Sequence, residues 1–151
     1  GAGDSEIIKS IAKIQSQSTT NPCSISQMAA KYAIENEKKF LKDWLKQFEE
    51  RKNFLVSFFN SVEGFEPFMP DGAFYLYVCC KGFISKKDIN GYEIKNDYDF
   101  AEYLLLNARV AVVPGVAFGK SPYFRISYAT SLDDLKNACN QIQKVIKNFQ
   151  K

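Results

Sequence analysis

Histidine is absent from the 151 residues. A Ser-His or Cys-His nucleophile therefore cannot be built within this chain. Any general base here is a lysine or a carboxylate, or comes from outside. The same absence thins the supply of zinc ligands. The four cysteines, Cys23, Cys79, Cys80 and Cys139, contain no Cys-x-x-Cys pair, so no metal site is expected. Cys79 and Cys80 would face opposite sides of a strand, and Cys139 lies on an apolar helix stripe. Reduced core thiols in the cytoplasm are the expectation. No apolar run is long enough to span a bilayer, so no membrane partner is expected. Gly1 to Asp4 is small and acidic, unlike a signal peptide. An initiator Met is missing, and Gly1-Ala2-Gly3 reads as a cut through a longer chain. Charge of one sign is scarce too: 20 basic and 17 acidic residues leave +3, too balanced to imply nucleic acid. Phosphate-loop fingerprints are also lacking. Gly119-Lys120-Ser121 has no Gly five residues before Gly119, and Pro122 follows it.

Apolar material is plentiful. The chain is 46% hydrophobic with 13 Phe and 8 Tyr, enough for a sizeable core. Asp4 is placed to cap a helix from about Ser5 to Gln17, with Ile7, Ile8, Ile11 and Ile14 at helical spacing. A polar stretch ends in the turn signal Asn21-Pro22. Ser24 with Gln27 reads as a capping box for a second helix. A third helix is predicted from about Asn36 to Ser61, a rod of roughly 40 Å, long enough to bridge two bodies of structure.

Beyond Gly64 the pattern changes. Pro67, Pro70 and Gly72 predict a turn. Period-two alternation predicts a strand over Phe74 to Cys79. Residues 81–96 read as an exposed loop or hairpin. Asp97 or Asp99 would cap a helix with Phe100, Tyr103, Leu104 and Leu105. Strands are predicted over Val110 to Val113 and Tyr123 to Ala129. Ser131 with Asp134 then caps a last helix carrying Leu135, Cys139, Ile142 and Ile146. The second half thus reads as a compact α/β or α+β domain, and the first half as helices whose apolar stripes need a partner. The boundary is placed at 62/63, giving parts 1–62 and 63–151.

Arg125 is the most informative residue. In Phe124-Arg125-Ile126-Ser127-Tyr128, Arg125 and Ser127 point away from the three apolar side chains. Burying an arginine on an apolar strand is costly unless an anion meets it. Its planar fork matches a carboxylate. An internal salt bridge, an edge strand that turns the charge to water, and a ligand carboxylate are the readings this leaves open.

The order of three segments narrows the choice. Pro70-Asp71-Gly72-Ala73-Phe74-Tyr75, then Val112-Val113-Pro114-Gly115-Val116-Ala117-Phe118-Gly119, then Phe124-Arg125-Ile126-Ser127-Tyr128-Ala129 resemble the C-terminal part of the fold-type-I aminotransferases that use pyridoxal 5'-phosphate. Gln15-Ser16-Gln17-Ser18-Thr19-Thr20-Asn21-Pro22 resembles the bacterial aspartate-type branch. The resemblance covers the whole chain. It implies that Arg125 binds the α-carboxylate of an amino-acid or 2-oxo-acid substrate. It implies that the Schiff-base lysine and the groups holding the cofactor ring lie before Gly1, so no catalytic residue is expected here. Residues 1–62 would end the large cofactor domain and form the bridging helix, and 63–151 would be the small domain. Thr19, Thr20 and Asn21 match a loop near the dimer interface, and a homodimer is implied for the whole protein. The implied reaction moves an amino group between aspartate and 2-oxoglutarate. The alternatives are aromatic acids or prephenate as substrates, or a non-catalytic module on the same scaffold.

Overall fold

A computed structural model describes residues 2–36 and 39–149. Packing divides the chain into two compact units, Gly1–Lys42 and Asp43–Lys151.

The first unit is helical. Helix α1 spans Ser5–Gln17 and α2 spans Ser24–Glu35. Asp4 caps α1 as expected, its carboxylate accepting from the Glu6 N–H at 2.9 Å and the Ile7 N–H at 3.4 Å. The cap of α2 falls one residue earlier than the capping-box reading. Cys23 is the N-cap and Ser24 is already helical, while the Gln27 amide donates to the Pro22 carbonyl at 2.8 Å. Neither helix has a buried residue. Ile7, Ile11, Ile14, Ile25, Met28 and Tyr32 are all exposed. Cys23 is exposed as well, which corrects its expected place among the core thiols.

Helix α3 covers Lys39–Asn60. Asn36, the expected start of this helix, instead ends α2 as its C-cap, and residues 37 and 38 lie outside the described residues. Leu55, Val56 and Phe59, at helical spacing near its end, are buried.

The second unit is built on a four-stranded antiparallel sheet in the order β1-β2-β4-β3. Its strands are β1 Glu66–Phe68, β2 Tyr75–Cys79, β3 Val113–Pro114 and β4 Tyr123–Ser127. Alternation along β2 buries Leu76 and Val78, and along β4 it buries Phe124 and Ile126. Against that face pack α3, α4 (Asp97–Tyr103) and α5 (Leu132–Ile146). The core is largely aromatic. Phe124 lies 5.7 Å from Phe59, 5.8 Å from Phe65 and 5.6 Å from Phe100, ring to ring. Such tilted and edge-on pairs add to simple area burial.

Three elements differ from the sequence reading. β1 stands where a turn was expected, because Pro67 breaks the strand signal. As an edge strand, β1 tolerates a residue with no N–H. β3 keeps only Val113 of its four expected residues and adds Pro114, since the chain reaches Val110 from a π-type turn at Leu104–Ala108 and a left-handed Arg109 (φ 57°). Asn96, not an aspartate, caps α4, accepting from the Asp99 N–H at 3.0 Å. Within 81–96, Lys87 and Glu93 form an antiparallel bridge about the Asn90-Gly91 turn. Asp88 closes that turn by accepting from the Asn90 and Tyr92 N–H groups at 2.9 and 2.8 Å.

The thiols divide by environment. Burial pushes Cys139 up to about 12. Burial, helped by the nearby Cys79 and Asp97, does the same to Cys80. Backbone N–H groups of Ser26 and Ile25 lower the exposed Cys23. Two outcomes are expected. A thiol reagent near pH 8 labels Cys23 in the native chain, and Cys80 and Cys139 only in denaturant, as mass spectrometry would read. Both buried thiols ionise more readily unfolded than folded. Their stabilisation is therefore complete below the unfolded value of 9.0 and is lost as pH rises towards about 12. Urea midpoints measured across that window should fall, and should fall less steeply in a Cys80→Ala, Cys139→Ala variant.

Candidate functional site

The sheet face turned away from the core carries Tyr75 and Tyr77 on β2 and Tyr123 and Arg125 on β4. Register sets Arg125 opposite Tyr77 on one side and Val113 on the other. Its guanidinium carbon sits 4.1 Å from the Tyr75 ring centre and 4.2 Å from the Phe118 ring centre. Two aromatic rings therefore hold the planar group, each contact stabilising it by about 0.5–2 kcal/mol depending on how dry the site is. Among the described residues no carboxylate forms a salt bridge with Arg125. The internal ion pair left open by the sequence is not formed there. A half-buried, oriented fork of N–H donors with no acid partner is suited to an incoming carboxylate.

Both rings are delivered by tight turns. Tyr75 follows residues 70–73, where Ala73 takes a left-handed backbone (φ 64°). Tyr128 pins this turn: its hydroxyl donates to the Ala73 carbonyl at 3.0 Å and its N–H to the Phe74 carbonyl at 2.9 Å. Phe118 ends the short 3-10 turn Gly115–Phe118. Gly115 is required there, because a Cβ would run into the Lys120 carbonyl and lie 2.6 Å from the Tyr123 carbonyl. Phe118 also walls a neighbouring cavity of about 270 Å³ lined by Phe68, Tyr77, Lys120 and Tyr123. A larger cavity, about 420 Å³, lies by Arg109, Ser127, Thr130 and Asp134 and does not include Arg125.

Thr19, Thr20 and Asn21 fall in the first unit and Arg125 in the second. The three are exposed. Thr20 has a left-handed backbone (φ 54°) and donates its N–H to the Gln15 carbonyl at 2.8 Å, which closes the end of α1. Sequence reasoning singled out Arg125 but not its two ring partners. For Tyr75 the signal was present, since it alternates with the apolar Leu76. Phe118 lies in a turn, where no periodicity reports its direction. No group of His, Cys, Asp and Glu suited to a metal occurs among the described residues, and none of the described helices is long and apolar enough to cross a membrane.

The family model for aminotransferase class I and II matches residues 1–142, and the chain belongs to that family. A probable aspartate/prephenate aminotransferase of Rickettsia conorii is 49% identical over 146 residues, which is 97% of this chain and 36% of the relative. An aspartate aminotransferase of Rhizobium meliloti is 46% identical over 140 residues, 93% of this chain and 34% of the relative. Among solved structures, the aspartate aminotransferase from Rhizobium meliloti matches with a TM-score of 0.88 at 44% identity, over 97% of this chain and 37% of its own. An aromatic aminotransferase from Pyrococcus horikoshii matches with a TM-score of 0.79 at 33% identity, over the same shares. The fold is thus part of an aminotransferase fold, and the chain spans about a third of the length of its curated relatives.

The Tyr128 anchor is separable from the clamp. Tyr128→Phe keeps the buried ring and removes one hydrogen bond, so a loss of about 1 kcal/mol is expected. Matched urea curves of the two proteins would check it, and an unchanged midpoint would show that the hydroxyl contributes nothing.

Proposed function

We propose that Arg125 grips the α-carboxylate of an amino-acid or 2-oxo-acid substrate in a pyridoxal-phosphate-dependent transaminase. The observation that carries this reading is the guanidinium fixed between Tyr75 and Phe118 with no acid partner among the described residues. Gripping both carboxylate oxygens fixes the substrate's orientation, which is a positioning contribution to rate. The names of the relatives support aspartate, and the Rickettsia relative adds prephenate; 2-oxoglutarate as acceptor is what the family resemblance implies.

The described residues do not make a cofactor cradle by themselves. Pyridoxal phosphate needs a lysine amine held in a pocket and donors for its phosphate. The described lysines are exposed, except for the half-buried Lys52 on α3. In this reading the lysine and phosphate donors belong to the rest of the enzyme. Residues 1–62 end its large domain and form its bridging helix, and 63–151 are its small domain. Thr19, Thr20 and Asn21 lie near the partner subunit of a homodimer, and the enzyme works in the cytoplasm.

Two measurements test the reading. In the full-length enzyme, Arg125→Ala should raise KM for aspartate by about a hundredfold, the loss of a two-point charged contact. Arg125→Lys should recover only part of it, because a point charge cannot replace the fork. An unchanged KM in the alanine variant would sink the assignment. The isolated chain should show no transaminase activity, and no yellow absorbance should stay with it once unbound pyridoxal phosphate is removed by gel filtration. Either signal would contradict the placement of the lysine outside it.

A further inference from the structure

Phe118 must be held in place if it is to hold Arg125, and a buried acid supplies the hold. Asp97, in the first turn of α4, is 1% exposed. Its Oδ2 accepts from the Val116 N–H at 2.7 Å and its Oδ1 accepts from the Ser121 hydroxyl at 2.7 Å. No ion pair to it occurs among the described residues. Removing a carboxylate from water is costly unless hydrogen bonds replace its hydration. Both replacements here come from one short loop, gripped on either side of Phe118. Charge-assisted bonds of this length are among the stronger polar contacts in a protein. Gly115, just before the gripped residues, cannot accept a side chain, so that end of the loop is confined sterically as well.

We infer that Asp97 is a positioning residue for the carboxylate clamp, acting through the Val116–Ser121 loop and the Phe118 ring on Arg125. This rests on the reading of Arg125 as a substrate clamp. Asp97 reaches neither substrate nor cofactor. It sets where one of the two rings lies, and so the direction in which the guanidinium fork points. Asn at position 97 keeps the shape but offers an NH2 group to one of the two loop donors. The loop then loses one anchor while its backbone still fits.

The test uses the full-length holoenzyme. Asp97→Asn should raise KM for both aspartate and 2-oxoglutarate by roughly tenfold, with kcat held within about threefold. Phe118→Leu should do the same, and the double variant should add little to either, because both act on one contact. A lowered Tm with unchanged KM would overturn the inference, as would effects that multiply in the double variant. If Asp97→Asn does not accumulate as folded protein, Ser121→Ala decides by the same readout. It removes the other half of one bond and should raise KM by a smaller factor, and an unchanged KM overturns the inference. Arg125→Ala is measured alongside. If it raises KM while the loop variants do not, the role of Asp97 alone falls. If it is silent, the clamp and this inference fall together.

Discussion

The second unit depends on where an arginine can be placed without an acid beside it. A guanidinium on an apolar strand needs its charge met, and in this chain aromatic faces meet it. That solution demands two turns of fixed shape, one on each side of β4. The left-handed Ala73 and the crowded Gly115 are the backbone costs of those turns. Tyr128 and Asp97 provide the hydrogen bonds that offset them. The inner face supplies the rigidity. Phe124 and Ile126 are locked in a close-packed aromatic core, so the outward-facing residue between them has a fixed root.

Much of this was legible in the sequence. The helix at Ser5–Gln17 agrees with its expected bounds, because a capping aspartate and an isoleucine period both mark it. α5 agrees for the same reason, with Ser131 capping it as read. β2 and β4 were visible through alternation. What escaped is what periodicity cannot encode. β1 has three residues and a proline, so it carries no alternation to detect. Asp97 looked like a helix cap because it is an acid before an apolar run. Its partners lie 19 and 24 residues further on, and no local rule connects them. Asn96 took the cap and left Asp97 free to turn inward.

The candidate site divides in the same way. Arg125 stood out as a charge in an apolar strand, and that anomaly survives any uncertainty about register. Tyr75 and Phe118 come from separate segments whose proximity is a property of the folded sheet. The sequence marked a charge that an internal acid, water or a ligand carboxylate would have to meet. Only the fold shows that none of the described acids meets it.

Both edges of the sheet carry a proline, Pro67 on β1 and Pro114 on β3. A free edge is a template for another strand, and a residue without an N–H breaks the row of donors that a newcomer would need. One residue in each edge strand therefore offers a newcomer no donor. Although the outer face of the sheet is rich in tyrosine, each of its edges is a poor template for stacking edge to edge into fibres.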